Sequence, residues 1–300
     1  MTRPSRGVGA AQLRARVVAT FGQQLLIEDA ARVWQATRRG KRGDVVVGDC
    51  VLASATSADQ ARIESIEPRA TLLFRADSYR TKELAANIDQ VIIVFAARPA
   101  FNPWFIWKAL VAADAAGIEA LVVRNKTDLG DSDDASLFLQ QISRLGWRTL
   151  AVSAKVDAER SRALLMSEVR GRKSLLVGQS GMGKSTLLNL LVPDAQARTQ
   201  EYSQRLNVGK QTTTASRWFP LDGGALVDTP GFHEFGLAHL SLGEIAATFP
   251  DFKPLLGLCR FLDCRHLEEP ACAIRTALDE GRLAPERYEF YRSLAAAPSK

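Results

Sequence analysis

The sequence predicts a phosphate-binding α/β domain set between a small antiparallel β-barrel of the OB type and a mainly helical, metal-binding module. Three observations carry this. Residues 175–191 read as a buried strand, a glycine-rich loop and a helix. Residues 13–82 hold five short strand-like runs and no helical period. Three of the four cysteines and a histidine crowd into residues 259–272.

The loop is Gly178-Gln179-Ser180-Gly181-Met182-Gly183-Lys184-Ser185, which meets the pattern G-x-x-x-x-G-K-[ST] at every fixed position. Leu175 to Val177 form the apolar strand before it, and Thr186 to Leu191 continue the helix after it. The chemistry needs this layout. Glycines let the backbone turn tightly and aim its N–H groups at a phosphate. The helix points its positive end the same way. Lys184 then reaches the β- and γ-phosphates, and the Ser185 hydroxyl can ligate Mg2+. Thr186 is counted with the loop.

At 300 residues the chain has room for two or three domains, and 46% hydrophobic with 24% charged residues is ordinary for a globular protein. No apolar run approaches the roughly 20 residues of a membrane span, and the first residues lack the apolar segment of a secretory signal. A cytoplasmic location is expected, with residues 1–12 a disordered basic tail. The net charge of +6 lies wholly before residue 83, where 14 Lys and Arg face 8 Asp and Glu. That asymmetry points to a polyanionic partner for the N-terminal region. Cys50 stands alone in a strand-like run and reads as a small buried residue.

The barrel strands are expected at 16–19, 24–27, 33–36, 45–53 and 61–66. Such barrels bind nucleic acid through one face and its loops. The basic loop Arg38-Arg39-Gly40-Lys41-Arg42-Gly43 suits phosphates. From Ile88 the pattern becomes alternating strand and helix, hence a parallel sheet: strands at 88–95, 120–123, 149–152 and 175–177, helices at 104–116, 135–145 and 159–170.

Two motifs fall at strand ends, where such sheets place ligands. In Asn125-Lys126-Thr127-Asp128, the Asp128 carboxylate can accept from the guanine ring N–H and exocyclic amine, a donor pair adenine lacks. Asn125 can serve the other purine edge, and the Lys126 stem can cover the ring. In Ser153-Ala154-Lys155, the Ala154 N–H can donate to the guanine carbonyl. Asp194 to Gln211 reads as a polar loop leading to Thr212-Thr213-Thr214. One of these hydroxyls completes a Mg2+ shell when the γ-phosphate is present; Thr213 is assigned, with Thr212 beside the nucleotide, and the residue types leave the choice among the three open. After a strand at 225–227 comes Asp228-Thr229-Pro230-Gly231, where Asp228 fits the acidic residue that holds Mg2+ and the Gly231 N–H a γ-phosphate sensor.

Late in the chain, Cys259-x4-Cys264-x-His266-x5-Cys272 offers three thiolates and one imidazole, a closed set suited to structural Zn2+. The surrounding stretch, 241–284, is too short for a large core, so metal would supply much of its folding free energy. Arg260, Arg265 and Arg275 surround the cluster and can meet RNA, and packing is expected for Tyr288 and Tyr291 of a last helix at 285–295.

These motifs are those of the GTPase superfamily in a different order, with N-K-T-D and S-A-K before the phosphate loop instead of after it. The chain therefore resembles the RsgA (YjeQ) family of small-ribosomal-subunit biogenesis GTPases over roughly residues 13–295. The resemblance implies a circularly permuted α/β P-loop GTPase domain flanked by an N-terminal OB-fold β-barrel and a C-terminal zinc-binding domain, with boundaries at 13–82, 83–236 and 237–300. It implies GTP and GDP, Mg2+ and one Zn2+ as cofactors, and the 30S subunit and its rRNA as partner of a monomer. Binding in the GTP state, late maturation of the subunit and release after hydrolysis follow from it. The permutation also lets the second switch, 231–236, run directly into the C-terminal domain, so a γ-phosphate-driven change can move that domain as a unit.

For hydrolysis the expected catalytic groups are Lys184, Thr213 and Gln211. Phe232 follows Gly231, where many GTPases carry a water-orienting Gln. The water must then be positioned by another residue or in trans. Gln211, just before the threonines, is one candidate, and His233 beside the switch reads as a structural residue before a base. The resemblance implies a His at the Gln211 position, and a Gln can orient water but cannot act as a near-neutral base. Slow intrinsic turnover, stimulated by the 30S subunit, is expected. Two other readings compete: a nucleotide-regulated RNA-binding switch with incidental hydrolysis, and a metabolic P-loop enzyme, against which N-K-T-D with S-A-K argues.

Overall fold

The structure is a computed structural model and describes residues 12–22, 24–38, 45–76, 81–129, 133–205, 216–229 and 235–296. Five strands form the N-terminal barrel: β1 (Gln12–Phe21), β2 (Gln24–Glu28), β3 (Val33–Arg38), β4 (Cys50–Ala55) and β5 (Gln60–Ile66). Alternation sets the inside of each strand; in β5, Ala61 and Ile63 face inward between exposed neighbours. β1 pairs with β2 and β4, β2 with β3, β3 with β5, and β5 with β4, so the sheet closes on itself. A register shift between Val17 and Ala19 bends β1. Its first half pairs with β4, and Ala19 and Thr20 pair with a strand of the next domain.

The strand predicted at 45–53 begins only at Cys50. Gly48 has φ +92°, and a Cβ there would strike the Ala86 carbonyl. Asp49 is buried, accepts from the Val46 N–H at 2.9 Å, and pairs with Arg69 at 2.7 Å. A charge held this way turns the chain inward before the strand can start. Cys50 is half-buried. A hairpin that strand spacing did not reveal follows: β6 (Leu72–Ala76) and β7 (Thr81–Ala86).

The central sheet has the order β10-β9-β8-β11-β13-β12. It is built from β8 (Gln90–Ala96), α1 (Pro103–Ala115), β9 (Glu119–Asn125), α2 (Asp133–Arg144), β10 (Arg148–Ala151), α3 (Ala158–Val169), β11 (Lys173–Val177), α4 (Lys184–Leu191), α5 (Ala195–Arg205), β12 (Ser216–Leu221) and β13 (Gly224–Asp228). All neighbours are parallel except β12, which runs antiparallel to β13. β8 is buried on both faces, as its continuous apolar run requires. α1 starts at Asn102, whose side chain accepts from the Trp104 N–H, with Pro103 at the first position.

One expectation is corrected here. The polar stretch after α4 is not all loop, because residues 195–205 form α5. Its sequence, AQARTQEYSQR, buries little beyond Ala195 and Tyr202, so no apolar period announces it. Helix-favouring Ala, Gln, Glu and Arg residues and two i,i+4 ion pairs, Asp194–Arg198 at 2.6 Å and Glu201–Arg205 at 3.0 Å, support it instead.

The C-terminal module carries α6 (Leu242–Ala247), α7 (Ala273–Asp279) and α8 (Pro285–Ala296). α6 begins with a capping box between Ser241 and Glu244. The module rests on α1 of the sheet domain. Arg287, 2% exposed, pairs with Asp251 at 3.0 Å and lies over the rings of Trp107 at 4.0 Å and Phe249 at 4.2 Å. Removing one partner of such a pair costs ~3–5 kcal/mol; the pair lies within the module, and the contact of Arg287 with Trp107 is what joins it to α1. No helix among the described residues is long and apolar enough to cross a membrane.

Candidate nucleotide site and metal centre

β11 delivers the chain to Gly178, whose Cβ, if present, would strike the Val94 carbonyl of β8. Gly183 stands before α4 with φ +96°, and a Cβ there would collide with the Asn125 amide. Both positions therefore demand glycine. Lys184 folds back over the loop: its Nζ donates to Gly178 O at 2.5 Å and Gln179 O at 2.9 Å. Burial lowers the Lys184 pKa, and Asp228 pulls it back up. Gln179 ties the loop to α1, its Oε1 accepting from the Asn102 N–H at 2.8 Å. Met182 is buried, while Ser180, Gly181, Ser185 and Thr186 are exposed at the mouth.

Three distant stretches meet at this loop. Asn125, 2% exposed at the end of β9, donates from Nδ2 to Met182 O at 3.1 Å and accepts at Oδ1 from the Ala154 N–H at 3.3 Å. One side chain thus brackets N-K-T-D, S-A-K and the phosphate-loop sequence together. Its amide faces the other two motifs, at the position where a purine edge is expected from the sequence. Lys126, with φ +60°, donates from Nζ to Gly181 O at 2.7 Å and Arg98 O at 3.1 Å. Asp128 is exposed, accepting from the Ser153 hydroxyl. The Ser153 N–H donates to the buried Ser161 hydroxyl at 3.1 Å, and Lys155 is exposed. The Asp128 carboxylate and the S-A-K turn therefore stand side by side, beyond the glycine loop.

Asp228 ends β13 on the far side of Lys184. Burial raises its carboxyl pKa; Arg217 and then Lys184 work against that. Arg217 lies directly opposite Asp228 on β12, a neighbour the motif reading passed over. An Arg in an ordinary strand gives no signal in sequence; only the pairing of β12 with β13 places it there. Gln211, Thr212, Thr213, Thr214, Gly231, Phe232 and His233 lie outside the described residues, as do residues 39–44 of the basic loop.

The four residues Cys259, Cys264, His266 and Cys272 converge, their ligand atoms all within 4.8 Å of one another. A tetrahedral zinc ion sets its sulfurs about 3.8 Å apart, and sulfur and nitrogen about 3.5 Å apart. Here Cys259 Sγ and Cys272 Sγ are separated by 3.9 Å, and each lies 3.5 Å from His266 Nδ1. The donor set and spacing fit Zn2+. Burial pushes the Cys264 thiol up to about 12, so thiols packed this closely need a cation to ionise together.

The loop carrying these ligands is shaped from behind. His266 sits at φ +62°, and its carbonyl accepts from the Tyr288 hydroxyl at 2.8 Å. The Tyr291 hydroxyl donates to Arg265 O at 2.9 Å. Both tyrosines are buried, as packing residues should be. Burial works against ionisation of Glu269, yet backbone N–H groups including those of Arg265 and Leu267 hold it at about 2.

Residues 66–238 match the model of the RsgA GTPase family. A protein of Paraburkholderia phytofirmans, "Small ribosomal subunit biogenesis GTPase RsgA", is 44% identical over 98% of this chain and 96% of its own. The protein of that name from Burkholderia pseudomallei K96243 is 45% identical over 97% and 94%. The crystal structure of YjeQ from Thermotoga maritima superposes with a TM-score of 0.71 at 28% identity, covering 95% of this chain and 97% of that one. YloQ, described as a circularly permuted GTPase, gives 0.68 at 23% identity over 97% and 96%. The second of these shares the fold. With the base motifs ahead of the glycine loop in sequence yet packed against it in space, and with relatives matching almost end to end, the chain belongs to the RsgA GTPase family.

Proposed function

We propose that this chain hydrolyses GTP to assist late maturation of the small ribosomal subunit, binding the 30S particle in the GTP state and leaving after hydrolysis. The observation that supports this most is the Asn125 side chain, which joins N-K-T-D and S-A-K to the phosphate-loop sequence in a chain whose relatives carry that function in their name. In this reading residues 13–82, 83–236 and 237–300 are the rRNA-binding barrel, the GTPase domain and the zinc domain of a cytoplasmic monomer.

On this reading the residues take the following roles. Asp128 selects guanine and is held in place by Ser153; Ala154 and Lys155 complete the base pocket, with Lys126 along the ring face. Gly178 to Gly183 and the start of α4 bind the phosphates through backbone N–H groups, and Thr186 supports that turn. Lys184 exchanges its two carbonyl partners for phosphate oxygens. Ser185, Thr213 and Asp228 would hold Mg2+, which would supply charge neutralisation at the phosphates. Thr212 and Gly231 flank the γ-phosphate, and Gln211 orients the attacking water. As Gln211 cannot take the proton at neutral pH, turnover stays slow until the ribosome completes the site.

The Asp128→Asn chain tests the reading. An amide at this position accepts from the xanthine ring N–H and donates to its extra carbonyl, the pattern guanine lacks. The variant should cosediment with 30S subunits in the presence of a non-hydrolysable XTP analogue and not of the GTP analogue, while the unmodified chain does the reverse. Identical binding of both proteins with either nucleotide would sink it.

A further inference from the structure

Arg217 and Asp228 stand side by side on one face of the central sheet. They are direct partners across the antiparallel pair of β12 and β13, which sets their Cβ atoms about 5 Å apart. Alternation fixes the face. Phe219 and Leu226, two residues along each strand, pack with Leu187, Leu188 and Leu191 of α4, whereas Trp218 and Val227 belong to the opposite core. Arg217 and Asp228 therefore lie on the α4 side. Asp228 is level with Leu176 of β11, at the end of the sheet where the glycine loop leaves and α4 begins with Lys184.

Both groups are half-buried. Burial works against the charge of each; Asp228 supports the Arg217 guanidinium, and Arg217, ahead of Lys184, supports the Asp228 carboxylate. On its other side Arg217 faces Ala19 of β1, which offers no charge. Arg217, Lys184 and Asp228 thus form one cluster that is net positive before any ligand arrives. Lys184 and Asp228 belong to the phosphate-loop and D-T-P-G motifs. Arg217 belongs to neither, and its charge is the part of the cluster those motifs do not explain.

We propose that Arg217 is a nucleotide-binding residue of the phosphate site, a built-in cation that lets the chain hold guanine nucleotide in the absence of Mg2+. The inference rests on the placement of the phosphates at Lys184 and of Mg2+ at Asp228 given above. GDP alone brings about three negative charges, and its Mg2+ complex about one. A fixed guanidinium therefore attracts the free nucleotide more strongly than the complex. The same charge opposes a metal ion approaching Asp228. The two effects are linked: affinity that Arg217 adds for free GDP and not for the complex is lost from Mg2+ binding to the GDP-bound chain.

The test is equilibrium binding of a fluorescent GDP analogue to the full chain. It is run with saturating Mg2+ and in buffer freed of Mg2+ by desalting, without chelator, so that zinc is kept. Arg217→Met keeps the apolar stem and removes the charge. It should bind the analogue about tenfold more weakly without Mg2+ and within about twofold of the unmodified chain with it, as the difference in ligand charge requires. Mg2+ titrated into the GDP-bound variant should bind about fivefold more tightly than to the unmodified complex. Arg217→Lys, which keeps the charge, should restore most of the Mg2+-free affinity. Tight binding with Mg2+ also shows that each variant is folded. Equal weakening in both buffers would make Arg217 a structural residue and overturn the proposal. So would unchanged Mg2+-free affinity in Arg217→Met, or an Arg217→Lys chain as weak as Arg217→Met. If the unmodified chain binds the analogue in neither buffer, the nucleotide site itself is misplaced and the proposal falls with it; tight binding indifferent to position 217 overturns this proposal alone.

Discussion

Replacing Lys184 with Ala should lower kcat for GTP by ~10²–10³-fold, the usual loss when one preorganised donor to developing charge is removed. Lys184 is the group best placed for this role. Its Nζ sits against the Gly178 and Gln179 carbonyls, within electrostatic reach of Asp228. Burial disfavours its charge and Asp228 restores it, so the ammonium is already placed before nucleotide arrives and little reorganisation accompanies the reaction. Lys184→Arg should recover little, since a planar fork cannot occupy the place of a compact ammonium. Two hydrogen bonds to loop carbonyls are the side chain's described polar contacts, so the thermal midpoint should move by no more than a few degrees. A Lys184→Ala chain hydrolysing GTP within fivefold of the unmodified rate would remove Lys184 from the mechanism.

Removing the metal should have the largest structural effect. Zinc bound to a set of this kind contributes ~10–16 kcal/mol of apparent free energy at neutral pH. The module it serves consists of three short helices and a loop held by Glu269, Tyr288 and Tyr291. Cys272 is 2% exposed and stands at the start of α7, so it joins the metal to the module's core. Cys272→Ser, or chelation of the unmodified chain, is expected to unfold 241–296 while the barrel and sheet persist. The readout is built in: Trp107 and Trp147 lie under Arg287, and their emission should shift red as the module leaves. Metal analysis should find one zinc per chain, and Co2+ in its place should give tetrahedral thiolate bands. A chelated chain with unchanged emission and unchanged unfolding would show that the cluster holds no structural metal.

The sequence exposed those parts of the molecule whose chemistry forces local residue choices. The glycines of the loop are required by clashes with the Val94 carbonyl and the Asn125 amide, and the zinc ligands by their donor atoms. The permutation was legible from motif order alone. What stayed hidden depends on partners distant in sequence. α5 is polar and held by ion pairs, so hydrophobic periodicity could not find it. The break before β4 depends on Asp49 meeting Arg69 twenty residues on. Nothing in N-K-T-D announces that Met182 O and the Ala154 N–H stand beside the Asn125 amide. The junction of barrel and central sheet through β1 and β12 was likewise invisible, since register between domains leaves no mark in either strand.

The most direct test of the account is the rate of GTP hydrolysis at fixed Mg2+ with purified 30S subunits, compared with 50S subunits and with none. Slow turnover is predicted alone and with 50S, and a large rise in kcat with 30S, as the proposed completion of the site by the ribosome requires. Tight GTP binding with the same low rate in all three conditions would contradict it, and would make the chain a nucleotide-regulated binding switch in which hydrolysis is incidental.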